Sequence, residues 1–244
     1  MTDLVVDKPK YSFVARADLK PPQKEMLKWM CILIVLQWVI LFTVVQIIHY
    51  LHPEWVDINL LLVILVPIAL LFVIYLLPHD NPLCTVIRVL AFLGLGVIMS
   101  FVLSSTYNIT LIRTPPQDKE RVRRLFLFLW VGVIVFFGVV VGTLPLLLPL
   151  FAPLQILGVV LSLAVLFLLI ALIFIPASEK SFMIWLFISV IVFTFLIITD
   201  TVTVIARCET EKTIQCDPIT GATTVYFDMI NLLQKLFVLL SGNK

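Results

Sequence analysis

The chain has 244 residues, of which 61% are hydrophobic and only 13% are charged, and its mean hydropathy is +1.14. Soluble domains carry about 25% charged residues, so the composition excludes a soluble globular domain and predicts an all-α integral membrane protein. The net charge of +2 does not suggest a nucleic-acid partner, and the lipid bilayer is the first partner that we expect.

The chain begins with a polar segment of 28 residues that contains six basic and four acidic side chains. The basic ones are Lys8, Lys10, Arg16, Lys20, Lys24 and Lys28. Basic residues before a first span predict that this end lies in the cytosol. The apolar run that follows is longer than the core of a cleavable signal peptide. We therefore interpret 1–28 as a cytosolic segment, 29–240 as a membrane domain and 241–244 as a short tail.

A transmembrane helix needs about 20 apolar residues, and seven runs meet this requirement. They are Trp29–Tyr50, Ile58–Leu77, Leu83–Tyr107, Leu125–Leu144, Leu154–Ile175, Ser181–Ala206 and Ala222–Leu240. The connection after the fourth run, PLLLPLFAP, is itself apolar, and we interpret it as a tight turn because it contains three prolines. Seven crossings place the C-terminus in the lumen. The five basic residues of the third connection oppose this orientation, and Asn108 opens an NIT glycosylation sequon close to the membrane there.

Small and sulfur-containing residues lead to two further predictions. Gly138 and Gly142 form a GxxxG pattern, which we expect to pack within the bundle more readily than to form a dimer. Cys208 and Cys216 share the loop between the sixth and seventh runs. The predicted orientation places this loop in the cytosol, so we expect both cysteines to be reduced thiols; a disulfide would require a lumenal loop.

Charged side chains are rare inside the seven runs, where only Arg88, Asp200, Asp228 and Lys235 occur. Charges within a membrane are costly and are functional by default. Asp200 lies seven residues before Arg207, where the sixth helix is expected to end, and Asp228 lies seven residues after Gly221, where the seventh is expected to start. At about 1.5 Å per residue, both lie roughly 10 Å from the same membrane surface. The two aspartates are therefore expected to share a site.

Two carboxyl groups in contact cannot both ionise cheaply, so such a pair holds one proton and titrates as a unit. After losing that proton, it offers oxygen ligands to a hard cation such as Ca²⁺. Helical spacing also places Arg207 on the face of Asp200 and Lys235 on that of Asp228. Local ion pairs with these two residues are the alternative interpretation, and spacing leaves both interpretations open.

The last two helices resemble those of the transmembrane Bax-inhibitor-motif family. TGATTVYFDMINLLQKLFVLLSG is similar to the last helix of that family, and ITDTVTVI to the Asp-Thr signature of its sixth helix. HDNPLCTVIRVLAFLGLGVIMS resembles the start of its third helix. The resemblance extends over the whole chain in the number and order of spans. The divergence elsewhere resembles the cytomegalovirus seven-span proteins, which are distant viral members of the family.

The resemblance implies a seven-helix bundle with the last helix at its centre and a pH-sensitive latch formed by Asp200 and Asp228. It also implies Ca²⁺ leak from stores in the endoplasmic reticulum or Golgi, and protection from apoptosis. Ca²⁺ is then a permeating ion, with Asp200 and Asp228 as its expected ligands, and no cofactor is expected. Protons and host apoptosis or membrane proteins are the implied partners. The candidate latch partners are Arg88, His79, Arg207, Asn231 and Lys235.

Three other classes of protein compete with a channel. A seven-span receptor is disfavoured because the Asp-Arg-Tyr and Asn-Pro-x-x-Tyr motifs are missing from the expected spans. An enzyme is not expected because the chain contains neither GxSxG nor HExxH, and the cluster His49, His52, Glu54 and Asp57 is more typical of an interfacial loop than of a metal site. A non-channel adaptor that binds host membrane proteins remains the alternative function, and Ca²⁺ release from stores distinguishes it from a channel.

Overall fold

The computed structural model describes residues 18–51, 60–174, 179–208 and 216–241, and all regular structure in these ranges is helical. The seven α-helices are α1 (Pro21–Leu51), α2 (Leu60–Leu76), α3 (Pro82–Arg113), α4 (Lys119–Leu147), α5 (Phe151–Phe174), α6 (Glu179–Arg207) and α7 (Pro218–Ser241). The predicted all-α class is confirmed. Most of the basic N-terminal segment and the polar residues His52, Glu54 and Asp57 lie outside the described residues.

The outer surface of the bundle is apolar. Ile112 is 77% exposed and Phe128 is 72% exposed, which suits contact with lipid tails rather than with water. Five described stretches are long and apolar enough to cross a membrane, and one of them, Pro116–Phe167, contains α4 and most of α5. In α2, the apolar stretch Leu65–Leu76 is shorter. The chain is therefore an all-α membrane protein, while the number of crossings remains a prediction.

Several helices extend beyond the apolar runs that predicted them. α1 begins at Pro21 rather than at Trp29, and α3 continues past Tyr107 to Arg113. Hydropathy marks the part of a helix that lies in lipid, whereas backbone hydrogen bonds continue through polar residues with adequate helix propensity. The apolar runs therefore locate the helices but underestimate the lengths of several of them, such as α1 and α3.

The tight turn predicted at PLLLPLFAP is wrong. α4 continues through Pro145 to Leu147, and a 3₁₀ turn at Leu148–Leu150 leads directly into α5. Pro149 lies at the start of the 3₁₀ turn and Pro153 lies in the first turn of α5. The N–H that proline lacks is not needed at the start of a helix, so these two prolines are tolerated there.

α7 packs against α1, α2, α3, α4 and α6, while α5 packs mainly on α6. Most of the apolar side chains of α7 before Leu236 are buried, whereas Leu240 near its end is 51% exposed. Tyr226 meets Phe92 of α3 at a ring distance of 5.8 Å, and Phe237 meets Phe126 of α4 at 5.4 Å. Edge-to-face aromatic packing of this kind stabilises helix contacts. The last helix thus occupies a central position among its neighbours.

α7 approaches α6 and α1 closely at Gly221. A Cβ atom at this position would lie 2.7 Å from Val204 Cγ1 and 3.1 Å from Met26 Cε. Real Cβ atoms do not approach that closely, so only glycine fits without a shift of its neighbours.

The two glycines of the GxxxG pattern in α4 lie on the outer face of the bundle, unlike Gly221. A Cβ atom at Gly138 or Gly142 would meet nothing within 4 Å, and both residues are exposed. Phe137, Val140 and Leu144 form part of the buried face of this helix instead. The prediction that the GxxxG pattern packs within the bundle is therefore wrong, because these glycines lie on the outer face.

One end of the bundle carries the start of α1, the end of α6 and the start of α7. Gln23 Nε2 near the start of α1 donates a hydrogen bond to the carbonyl oxygen of Ile205 near the end of α6 at 3.1 Å. We call this the N-terminal end of the bundle. The start of α1 and the junction of α6 with α7 therefore lie at the same end of the bundle.

We expect protease added to sealed microsomes to remove an N-terminal tag and to leave a C-terminal tag intact. Basic residues before Trp29 retain the N-terminus in the cytosol, and seven crossings place the C-terminus in the lumen. Immunoblotting for each tag before and after detergent provides the measurement. Two tags with the same sensitivity would contradict seven crossings, and a protected N-terminal tag would contradict the predicted orientation.

Candidate functional site: an aspartate pair beside a cavity

Asp200 of α6 and Asp228 of α7 lie within hydrogen-bonding reach of each other. Asp228 is 8% exposed, and its Oδ2 atom has no hydrogen-bond partner among the described residues. A buried carboxylate oxygen without a donor is unfavourable in an apolar bundle. The arrangement therefore favours a proton shared between the two carboxyl groups. The sequence predicted that the two aspartates lie at the same depth on antiparallel helices, and their contact agrees with this prediction.

A cavity of about 720 Å³ opens beside the pair, between α5, α6 and α7. Asp200 lines this cavity, whereas Asp228 is not part of the lining. The other polar lining residues are Gln155, Ser162, Thr203, Arg207, Asp217, Thr220 and Thr224. Arg207 and Asp217 stand at helix ends, so the cavity extends from the N-terminal end of the bundle to Asp200 about two turns deeper. Asp200 is thus the accessible member of the pair and Asp228 the sealed one.

α5 packs its backbone directly against the turn of α6 that carries Asp200. A Cβ atom at Gly158 would lie 3.2 Å from Thr199 Oγ1 and 3.9 Å from Asp200 Oδ1. This close packing limits the positions available to the Asp200 carboxyl group on the α5 side.

The local ion pairs considered as the alternative are not found among the described residues. Arg207 lines the same cavity as Asp200 and acts on it electrostatically, but the two make no ion pair within 4 Å. Lys235 is partly buried and makes no ion pair with Asp228 in the described part of the chain. The aspartates therefore face each other rather than their helical neighbours.

The remaining candidate latch partners, His79 and Asn231, contact other groups than the two aspartates. His79 Nε2 lies 3.0 Å from Asp80 Oδ1 in the loop before α3. Asn231 Nδ2 donates to the carbonyl oxygen of Phe227 in its own helix at 2.9 Å. The described residues contain no group of three or more His, Cys, Asp or Glu side chains that could hold a metal ion. Two carboxyl groups alone fall short of the 6–8 oxygen ligands that Ca²⁺ takes when it is held in a protein site.

Arg88 pairs with a residue that the sequence interpretation missed. Its Nη2 atom donates to Asp217 Oδ2, and its Nε atom donates to the carbonyl oxygen of Ile74 at 2.7 Å. Asp217 Oδ1 also accepts the backbone N–H of Ile219 at 3.1 Å. Asp217 was overlooked because the apolar run begins only at Ala222. An aspartate followed by proline is nonetheless a recognisable helix start, with Asp as the N-cap and Pro as the first helical residue.

The predicted reduced state of Cys208 and Cys216 is contradicted by the structure, in which they form a disulfide. The antiparallel packing of α6 and α7 holds their Cα atoms 4.6 Å apart, within the range for a disulfide. The bond lies next to Asp217, which lines the cavity. Stable disulfides are typical of oxidising compartments, and cytosolic ones are usually transient or redox-sensing. The disulfide therefore favours a lumenal position for this end of the bundle, opposite to the orientation predicted from the basic N-terminal residues, and a protected N-terminal tag in sealed microsomes would agree with it.

We expect intact-mass measurement of the alkylated, unfolded protein to show two additional labels when the sample is reduced before alkylation. The two sulfur atoms of the disulfide become available only after reduction, while Cys31 and Cys84 are free in both samples. A Cys208→Ser/Cys216→Ser variant serves as the control and should show no increase. The same number of labels with and without reduction of the unchanged protein would contradict the disulfide.

The Asn108 sequon lies inside α3. The Asn108 side chain is 7% exposed, and its Oδ1 atom is 2.8 Å from His49 Nδ1 of α1. Attachment of a glycan requires an exposed side chain in a surface segment. The Asn108 side chain is therefore held in a contact between α1 and α3, and the sequon is inaccessible in this fold.

Paired aspartates on the last two helices and a central last helix are the features that the sequence resemblance implied. A family described as inhibitor of apoptosis-promoting Bax1 matches residues 23–244. The chain belongs to the Bax inhibitor family. The match begins within the first turn of α1 and includes all the later helices, so it extends well beyond the two helices in which the resemblance was specific. No curated protein and no solved structure matches the chain.

Proposed function

We propose that this Bax inhibitor family protein is a pH-sensitive, calcium-permeable leak channel of intracellular membranes. In this proposal it crosses the membrane of the endoplasmic reticulum or Golgi seven times, lowers stored Ca²⁺ and protects the cell from apoptosis. Family membership supports the anti-apoptotic role. The resemblance to distant viral members further supports a viroporin-like role in a virus-infected host cell. The channel is inferred chiefly from the Asp200–Asp228 contact at the inner end of the cavity.

The shared proton holds α6 against α7 in the proposed closed state. Loss of that proton leaves two negative charges in contact, and their repulsion favours separation of the two helices. The same step exposes carboxylate oxygens that can replace part of the hydration shell of Ca²⁺. Arg207 is the other charged group that acts on Asp200 among the described residues. The buried side chains of α7 beyond Asp228 close the bundle in this state.

Ca²⁺ flux through the purified protein in liposomes, measured across a pH series, tests this proposal. We expect flux above that of protein-free liposomes, rising as the pH is raised through the range in which the pair loses its shared proton. Flux that falls with rising pH would contradict the repulsion mechanism. Liposomes that stay impermeable to Ca²⁺ at every pH would contradict the channel and favour the alternative function, a non-channel adaptor.

A further inference from the structure

Arg88 is almost completely buried although it carries a permanent charge. The residue is 2% exposed and lies in the second turn of α3. A guanidinium in such a position is costly unless its donors are paired. In addition to its bonds to the Ile74 carbonyl and Asp217 Oδ2, its Nη2 atom donates to Thr220 Oγ1 at 3.1 Å. One side chain of α3 thus joins the end of α2 to the first turn of α7.

Asp217 is held from two sides at the same point. Its Oδ1 atom caps α7 through the Ile219 N–H, and its Oδ2 atom accepts from both Arg88 and the Thr220 hydroxyl. One turn further on, Thr224 Oγ1 lies 3.4 Å from the Tyr75 hydroxyl of α2. Asp217, Thr220 and Thr224 all line the cavity beside Asp200. The contacts with Arg88 and Tyr75 therefore hold the α7 wall of this cavity.

The contacts of Arg88 are separate from the aspartate pair. Asp217 lies eleven residues before Asp228, which corresponds to about 16 Å along a helix. Arg88 and the aspartate pair share no hydrogen-bond partner among the described residues. Arginine keeps its charge throughout the physiological pH range. The ion pair therefore does not depend on the proton that Asp200 and Asp228 share.

We propose that Arg88 and Asp217 form a second anchor of α7, which positions the cavity wall and restrains the leak independently of the Asp200–Asp228 latch. This inference rests on the proposed leak function. It assigns a positioning role to Asp217 and makes Asp217, rather than the two latch aspartates, the partner of Arg88. The two restraints act at different points of one helix, so their effects on flux should combine independently, as is usual for distant sites without shared partners.

Asp217→Asn tests the anchor because asparagine has the same shape and still caps a helix, but loses the charge. We expect Ca²⁺ flux in liposomes to rise severalfold at every pH, with the pH midpoint unchanged. Arg88→Gln should give the same result. Asp217→Asn combined with Asp228→Asn should multiply the two separate changes in flux. The matched control is Glu120→Gln, which removes the exposed ion pair to Arg124 on α4 and should leave flux unaltered.

A shifted pH midpoint in Asp217→Asn would overturn the proposal, because it would show that the ion pair acts through the latch. An unchanged flux together with a lower melting temperature would also overturn it, because it would show a purely structural role. If Arg88→Gln fails to fold, Arg88→Lys keeps the charge but cannot reach all three partners and should show an intermediate rise in flux.

Amide hydrogen exchange tests the anchor independently of the leak function. In Asp217→Asn we expect faster amide exchange at 218–224 and unchanged exchange near Asp228. Slow exchange at 218–224 in this variant would overturn the anchor even if the protein conducts Ca²⁺. Faster exchange without flux in any variant would support the anchoring contact and contradict the proposed leak.

Discussion

Asp228→Asn is expected to remove the pH dependence of Ca²⁺ flux while the protein keeps its fold. Asparagine preserves the shape of the side chain and can still form a hydrogen bond with Asp200, but it cannot share or release a proton. Asp200→Asn should have the same effect because the pair titrates as a unit. The double variant should add little to either single change, as expected for residues that act together.

Flux across a pH series in liposomes provides the measurement, and melting temperature in detergent checks the fold. Asp80→Asn is the matched control, because the side chain of Asp80 is 85% exposed and pairs with His79 away from the cavity. This control should retain the full pH response. If that response persists in both Asp200→Asn and Asp228→Asn, the latch is wrong. Charge reversal at Arg207 and Lys235 should then destabilise the protein instead.

Gly221→Leu is expected to destabilise the bundle, whereas Gly142→Leu should be nearly neutral. A side chain at position 221 would collide with Val204 and Met26, while one at position 142 would meet nothing within 4 Å. Overpacking of a well-packed core costs about 1–3 kcal/mol. At position 142, the higher helix propensity of leucine, worth roughly 0.5–1 kcal/mol over glycine, should instead be slightly favourable.

Thermal unfolding in detergent, followed by circular dichroism, compares the two leucine variants directly. The Gly221→Leu variant should melt at a lower temperature than the unchanged protein, and Gly142→Leu should melt at the same or a slightly higher temperature. Both substitutions add the same side chain to a helix, so a general effect of added bulk is controlled. Equal shifts in the two variants would contradict the close approach of α7 to α6 and α1.

The sequence by itself located the seven helices and the aspartate pair. Hydropathy identified the apolar runs because the cost of exposing a polar backbone to lipid requires long helices. The depths of Asp200 and Asp228 followed from the constant rise of an α-helix and from their distances to the ends of adjacent antiparallel helices. The family assignment followed from the residues around these two aspartates, and the match over 23–244 confirmed it. These properties depend on local spacing, which is visible in a single chain.

Only the tertiary structure decided which side chains meet across helices. It paired Arg88 with Asp217, joined Cys208 to Cys216, and buried Asn108 against His49. It also turned the glycines of the GxxxG pattern outwards, although their spacing suits helix packing. Helical periodicity fixes the relative directions of side chains on one helix, but not the rotation of that helix about its axis or the choice of its neighbours. Those are set by the packing of all seven helices together, which no local pattern contains.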